Sequence, residues 1–289
     1  MRFLVNMCRQ LLFLFFIGGF ILATSCKKDK LKAPLASFLV VNNVTVKTTS
    51  ANQGTSSHKI TDIWYYVNGE FKGVFPIGSV MPIVAADKAE ITLFAGIKNN
   101  GISATRTTYQ FYKQIIFNQS IEAGKTYTIS PEFEYTSSAI FYYQIPQNFD
   151  SALSQFESKG DSAYFRTTDP NKTFGGNGGS IFMSMSDAKP TSKMVQSVNY
   201  YLPSGGTIVY LELNYKCNQS FVVGVIGDDY DERGAVTVNA SDEWNKIYIQ
   251  LTSIVSAQPL HAGYKVFIKA TKEVNTPEIY IDNIKLISQ

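Results

Sequence analysis

Cysteine is scarce in this chain, with three residues among 289. Cys8 and Cys26 lie within the first 26 residues, so Cys217 is the one thiol in the body of the protein, which excludes an intramolecular disulfide there. Cys217 ends the alternating run VYLELNYKC in phase with its apolar members, and this predicts an inward-facing thiol that fills core space. A nucleophilic role is not favoured, because the sequence suggests no basic microenvironment around it.

The chain also has little net charge and few histidines. Without Arg2 and Arg9 of the first 25 residues, 24 basic side chains face 23 acidic ones. The basic residues are scattered rather than clustered, which excludes a nucleic-acid partner. The two histidines, His58 and His261, have no partners at metal-ligand or catalytic-triad spacing, so we expect surface residues.

No apolar run is long enough to cross a bilayer. Residues 11–22 are apolar apart from two glycines, with Arg9 before them and Lys27 and Lys28 after them. A membrane-spanning helix needs about 20 apolar residues, whereas the apolar region of a signal peptide is this short. Residues 1–25 are therefore predicted to be a cleaved leader.

Three small residues, Ala23, Thr24 and Ser25, directly precede Cys26, and this arrangement resembles the lipobox of bacterial lipoproteins. The resemblance implies that Cys26 becomes the acylated first residue, held on a membrane by about 0.8 kcal/mol for each buried methylene. The sequence departs from the commonest lipobox, because Ala23 stands where Leu is usual. An ordinary secretory leader is the alternative. Residues 26–35 have the composition of a short polar tether.

Almost no sustained helical period follows the tether, and short alternating runs between turn residues predict an all-β fold. Residues 36–133 hold six or seven such runs, which fit an immunoglobulin-like or related N-terminal β-sandwich. The strongest hairpin signal is Asn68-Gly69, because both central positions of a type I′ turn need positive φ.

The pattern restarts near residue 133, and residues 134–289 are predicted to form a second domain. Eight strand-like runs there predict a C-terminal jelly-roll β-sandwich. The exception is residues 148–156, where apolar side chains fall at helical spacing and predict a short helix. No fixed-period repeat relates the halves, so we expect two different domains.

Residues 134–289 resemble the jelly-roll modules of carbohydrate-binding and glycan-processing proteins in the segments GGNGGSIFMSM, VYLELNYKC and IYIDNIKLI. With the lipobox and a small N-terminal sandwich, the layout is similar to surface lipoproteins of glycan-foraging bacteria. The resemblance implies an outer-membrane location and a glycan ligand, by analogy of fold. The KKDK segment after Cys26 has one acid among three lysines, which leaves open whether the protein faces outward or the periplasm.

Catalytic signatures are absent, and we expect a protein that is not an enzyme. Glycoside hydrolysis needs two carboxylates that face each other across a cleft. Glu212 is predicted on the outward face of its strand, while Glu157, Glu243 and Asp282 lie near strand or loop ends. A cryptic pair among them stays open.

Asp282 is predicted to share the core face of the last strand with Tyr280, Ile284 and Leu286, so it needs a hydrogen bond or a metal to tolerate burial. The jelly-roll resemblance implies a structural calcium at this edge, and a structural hydrogen bond is the alternative. The acidic run GDDYDERG lacks the spacing of a calcium loop and predicts a solvated hairpin.

Aromatic side chains give the best indication of a ligand, because sugar rings present apolar C–H faces that lie flat on Trp or Tyr. The chain has 17 tyrosines, and three tyrosine pairs each place one ring on either face of a strand. The candidate ligand-binding residues are Trp64, Tyr66, Tyr143 and Tyr201. The alternative for each tyrosine is a structural role in a sheet.

Three hypotheses follow for function. The first is a non-catalytic lipoprotein, anchored through Cys26, that binds polysaccharide or cell-wall material. The second is a structural or adhesive protein that contacts another envelope protein through its sheet faces. The third is a glycoside hydrolase with a cryptic carboxylate pair.

Overall fold

The computed structural model describes residues 35–257 and 263–289, and residues 37–289 form one compact unit. The predicted lipidation site Cys26 and His261 lie outside the described residues. The chain is all-β as predicted, and the α-helix of the described part is α1, Thr252–Ser256. No helix in the described ranges is long and apolar enough to cross a membrane.

The N-terminal half is built from ten strands in two layers. Its strands are β1 Ser37–Val41, β2 Thr45–Lys47, β3 Asp62–Val67, β4 Glu70–Pro76, β5 Val80–Ile83, β6 Lys88–Lys98, β7 Arg106–Thr108, β8 Ile115–Ser120, β9 Thr126–Ile129 and β10 Glu132–Glu134. One layer has the order β5-β1-β9 with the separate pair β10-β2, and the other has the order β4-β3-β6-β7 with β8 also paired to β6. The immunoglobulin-like character of this sandwich stays a prediction.

The C-terminal half is a jelly-roll β-sandwich of two six-stranded sheets. Its strands are β11 Ile140–Phe141, β12 Phe156–Ser158, β13 Tyr164–Thr167, β14 Ser180–Met183, β15 Thr191–Gln196, β16 Tyr200–Tyr201, β17 Val209–Cys217, β18 Phe221–Ile226, β19 Glu232–Val238, β20 Ser241–Gln250, β21 Gly263–Thr271 and β22 Ile279–Ser288. One sheet has the order β13-β14-β22-β17-β20, with β11 on β22. The other has the order β12-β15-β21-β18-β19, with β16 on β21.

Successive side chains of the N-terminal strands point alternately into the core and away from it, which explains how the two layers pack. In β6, Ile91 and Leu93 are buried in the core while Thr92 and Phe94 point to the opposite face. The β3–β4 hairpin turns at Asn68-Gly69, where φ is 51° and 78°. This confirms the predicted hairpin and its positive φ angles.

Strand β17 is buried on both faces, because the N-terminal half packs against the outside of its sheet. Leu211 and Leu213 enter the C-terminal core, whereas Tyr210 joins the N-terminal core on the opposite face. Glu212 shares that opposite face and is fully buried. Glu212 therefore lies on the outward face of its strand, as predicted, but that face is buried because a second layer of protein covers it.

The chain passes from the N-terminal core to the C-terminal core along β11 and the residues that follow it. Phe141 packs on the N-terminal core, whereas Tyr143 belongs to the C-terminal core. The domain limits predicted at residues 133 and 134 stay a prediction.

The helix predicted for residues 148–156 is wrong. Phe149 has a φ of 54°, and its carbonyl accepts a 2.6 Å hydrogen bond from Arg166 Nε. The Gln147 side chain accepts a hydrogen bond from the Gln155 amide, and Phe156 begins β12. Tertiary hydrogen bonds thus hold the segment out of helical geometry, while Phe149 and Phe156 still enter the core.

Cys217 faces inward as predicted. Its side chain is part of the C-terminal core, and burial raises the pKa of the thiol. The structure therefore places this cysteine as a packing residue.

Candidate functional site

A groove crosses the outer face of the sheet formed by β12, β15, β21, β18 and β19. It has a volume of about 390 Å³. Its lining combines the apolar side chains of Val195 and Ile226 with a larger number of hydrogen-bonding side chains. The lining residues include Glu157, Lys159, Lys193, Val195, Asn199, Ile226, Asp228, Tyr230 and Lys265.

The centre of the sheet is shaped by a glycine beneath an aromatic ring. Val195, Phe267 and Gly224 lie side by side on β15, β21 and β18. A Cβ atom at Gly224 would lie 2.8 Å from two ring atoms of Phe267, so the ring can lie over this position only because the side chain is missing. The Nζ atom of Lys193 lies 5.5 Å from the ring centroid and covers it.

A three-residue ionic bridge separates the groove from a second depression of about 300 Å³. Glu232 pairs with Lys193, and its other oxygen lies 3.5 Å from Lys269 Nζ. The hydrogen bond from Lys193 is the main cause that lowers the pKa of Glu232. The carboxylate is therefore ionised and held in place at neutral pH.

The β18–β19 turn places a tyrosine at the end of the groove. Tyr230 has a φ of 62° and is 88% exposed. Its turn is tied to the sheet by Asp228, which accepts a 2.6 Å hydrogen bond from the Gly263 amide. The acidic run in this turn is exposed and forms the hairpin that was predicted for it.

Tyr201, one of the predicted ligand-binding residues, lies at the same end of the sandwich. It is the cross-strand partner of Gly263, whose amide binds Asp228 on the groove wall. Tyr201 is 71% exposed. An exposed tyrosine ring beside hydrogen-bonding side chains can stack on a sugar ring while the hydroxyl groups of the sugar are hydrogen-bonded.

Two other predicted residues, Trp64 and Tyr66, meet on the outer face of the N-terminal β4-β3-β6 sheet. The structure adds two rings that the sequence reasoning missed, Phe71 and Phe94. The centroid of Phe71 lies 5.7 Å from that of Trp64 and 5.2 Å from that of Tyr66, and Tyr66 lies 5.5 Å from Phe94. We call Trp64, Tyr66, Phe71 and Phe94 the aromatic face.

Tyr143 is not at a surface. Its ring is buried in the C-terminal core, and its hydroxyl donates a 3.0 Å hydrogen bond to Gln196 Oε1. The expectation that Tyr143 projects away from the core is wrong, because Tyr142 is the more exposed member of the pair and Tyr143 faces the sandwich interior.

Asp282 is buried, as its place on the last strand predicted. Its Oδ2 atom accepts a hydrogen bond from Ser180 Oγ, and its Oδ1 atom accepts one of 2.7 Å from the Asn283 amide. Burial is the main cause that raises the pKa of Asp282 to about 7. Both carboxylate oxygens thus have protein donors, which is the hydrogen-bonded alternative.

No group of three or more His, Cys, Asp or Glu side chains in the described ranges is arranged to hold a metal. Asp150 is near enough to Asp282 to contribute to its raised pKa. Thr173 Oγ1, elsewhere in the buried part of this half, has no hydrogen-bond partner among the described residues. A structural calcium at Asp282 stays a prediction.

Comparison with solved structures finds similarity to carbohydrate-binding modules. TmCBM61, in complex with beta-1,4-galactotriose, is 15% identical, with a TM-score of 0.38, and the match covers 52% of this chain and 99% of that one. A carbohydrate binding module of family 29 is 10% identical, with a TM-score of 0.37, over 52% of this chain and 88% of that one. No protein-family model and no curated protein matches the sequence.

Proposed function

We propose that this chain is a non-catalytic carbohydrate-binding protein of the bacterial cell envelope. The observation that carries the proposal is the groove, in which the exposed ring of Tyr230 stands beside amide, carboxylate and ammonium side chains. Saccharide recognition needs this combination of an apolar ring face and several hydrogen-bonding groups. Lys193 and Lys265 stand on paired strands of the sheet, which holds them in position before a ligand arrives.

The carboxylates of the groove are engaged by protein donors. Glu157 lies 3.2 Å from Lys159 Nζ, and Asp228 accepts hydrogen bonds from Gly263 and Asn199. These contacts suit side chains that position a ligand. A screen for hydrolysis of plant and host glycans tests the third hypothesis, and turnover that Glu157→Gln abolishes would favour a hydrolase.

Binding to a polysaccharide panel, measured by affinity electrophoresis and calorimetry, tests the proposal. We expect Tyr230→Ala to weaken binding about tenfold, since stacking of a ring is worth about 1 to 1.5 kcal/mol. Phe165→Ala is the matched control, because Phe165 is an exposed ring on β13 of the opposite sheet. Equal affinity of the two variants, or no retention of any polysaccharide at millimolar concentration, contradicts the proposal.

The envelope location rests on the leader and on Cys26. If Cys26 is acylated, cells fed a labelled fatty acid incorporate the label into the protein, and Cys26→Ala abolishes it. Protease treatment of intact cells then separates an outward-facing protein from a periplasmic one. A label that persists in Cys26→Ala contradicts the anchor.

The aromatic face favours a second candidate function, contact with another envelope protein. Its rings are tilted by 34° to 63° and pack on one another. Phe71 is still 50% exposed. A cluster of aromatic rings that pack on one another fits a protein surface better than a sugar.

A photo-crosslinking amino acid at position 71 tests this second function in intact cells, with the same amino acid at position 165 as the control. We expect one discrete crosslinked product from position 71 alone. Identical product patterns at the two positions contradict a specific partner.

A further inference from the structure

The groove has more positively charged ammonium groups than its own carboxylates pair with. Glu157 is taken by Lys159, and Glu232 is shared by Lys193 and Lys269. The acceptors on this wall are therefore committed to protein donors. Any remaining ammonium group is available to an anion from outside the protein.

Lys265 is that remaining ammonium group. It lies half-buried on β21, beside Ile226 of β18, and lines the groove. Its ammonium group has no hydrogen bond or ion pair with any residue of the described ranges. A half-buried ammonium group flanked by apolar side chains loses part of its hydration, which favours an anionic partner.

We infer that the groove takes a carboxylated saccharide, a uronic acid residue in a polysaccharide, with the carboxylate paired to Lys265. This inference rests on the proposed function of the same groove and names its ligand class. A uronic acid carries one carboxylate on a ring that keeps its C–H face and its hydroxyl groups. Lys265 pairs with the carboxylate, and the ring of Tyr230 stacks on the C–H face of the sugar. The side-chain amide of Asn199 forms hydrogen bonds with the hydroxyl groups.

The test compares polyuronates with their own carboxyl-reduced forms, in which each carboxylate becomes a primary alcohol and every linkage is kept. Alginate, polygalacturonate and glucuronoxylan serve as probes for calorimetry with the chain from residue 27 onward. We expect at least one of them to bind, and its reduced form to bind at least tenfold more weakly. Raising the salt concentration weakens the first interaction and not the second.

Lys265→Gln removes the charge and keeps most of the side chain. We expect it to reduce affinity for the polyuronate about tenfold and to leave affinity for the reduced form unchanged. Lys216→Gln is the matched control, because Lys216 is a half-buried strand lysine outside the groove. It should change neither affinity.

The possible failures are distinguishable. If carboxyl-reduced polymers bind as tightly as their parents, or if Lys265→Gln has no effect, the inference is wrong while carbohydrate binding stands. If acetate competes as well as galacturonic acid, the groove holds a simple anion and the inference is wrong. If no polysaccharide binds in either form, the proposed function itself fails.

Discussion

The carboxylate of Glu212 lies 2.6 Å from the Nζ atom of Lys246, and both side chains are buried where the two halves of the molecule meet. Tyr109 and Tyr135 donate hydrogen bonds of 2.6 and 3.0 Å to the same carboxylate. Burial alone raises the pKa of Glu212, but Lys246 and Lys285 outweigh it and lower the pKa. We define the junction network as the five residues Tyr109, Tyr135, Glu212, Lys246 and Lys285. This network joins the two sandwiches.

Glu212→Gln removes the only anion of the junction network while keeping the shape of the side chain. The buried ammonium group of Lys246 then lacks its counterion, so we expect a loss of about 3 to 5 kcal/mol in the free energy of unfolding. Urea denaturation measures it. Glu157→Gln breaks an exposed pair with Lys159 and should cost less than about 1 kcal/mol. Similar small losses in both variants would contradict a junction held by buried charge.

Lys285 makes stability depend on pH. Its Nζ atom donates to the Thr55 carbonyl at 2.6 Å and to Tyr135 Oη at 3.1 Å. Burial is the main cause that lowers its pKa to about 7, far below its unfolded value. Between these two pKa values the unfolded chain binds the extra proton, so stability rises with pH from about 7 upward.

Comparison with Lys285→Met isolates this contribution. Because one pKa unit corresponds to about 1.4 kcal/mol, wild type should gain about 2 kcal/mol over the variant between pH 7 and pH 9. Urea denaturation at both pH values measures the difference. A constant difference between the two proteins would show that the Lys285 pKa is the same in the folded and unfolded states.

Local patterns predicted the elements that depend on neighbours in sequence. The Asn68-Gly69 turn and the inward Cys217 follow from turn chemistry and strand alternation, and both are confirmed. Glu212 alternates with Leu211 and Leu213 in the same way, which predicted the outward face of the strand but not its burial. What buries it is a face supplied by residues about 100 positions earlier, Tyr109 among them, and no pattern within the strand contains that contact.

The packing of Phe267 over Gly224, beside the groove, was beyond sequence reasoning for a similar reason. Phe267 and Gly224 are 43 positions apart, and only the pairing of β18 with β21 places the ring over the glycine. The aromatic face was partly predictable from the sequence, because Trp64 and Tyr66 alternate within one strand. A search for further outward rings on the paired runs would have added Phe71 and Phe94, since the hairpin was predicted.

Gly224→Ala tests whether the packing beneath Lys193, at the side of the groove, depends on a missing side chain. The new Cβ would lie 2.1 Å from the Arg233 carbonyl oxygen and 2.8 Å from the Phe267 ring, so strand or ring must move. We expect a loss of about 1 to 3 kcal/mol in stability and weaker saccharide binding. Thermal unfolding and calorimetry measure the two effects.

Gly234→Ala is the matched control on the neighbouring strand. Its Cβ would lie 3.3 Å from a Val222 methyl group, a contact that a small shift relieves. The lower entropy of the unfolded chain offsets part of that cost, so we expect a change within about 0.5 kcal/mol. If both variants behave alike, the packing of Phe267 over Gly224 supports neither the sheet nor the side chains of the groove beside it.

Asp282 makes an opposite contribution to pH dependence. Its folded pKa of about 7 lies above the unfolded value of 3.8, so the folded protein binds the extra proton between them and stability falls as pH rises toward 7. Between pH 5 and pH 8 wild type should lose about 2 to 3 kcal/mol that Asp282→Asn does not lose. Urea denaturation of both proteins measures the difference, and parallel pH profiles would contradict the raised pKa.

Calcium at Asp282 changes that expectation in a measurable way. A bound cation stabilises the ionised carboxylate, so millimolar calcium chloride at pH 8 should raise the melting temperature of wild type by several degrees. Asp282→Asn should not respond, and Asp229→Asn, in the exposed β18–β19 turn, should respond like wild type. If wild type and Asp282→Asn respond alike, calcium does not bind at this position, and the hydrogen bonds from Ser180 and Asn283 alone hold the buried carboxylate.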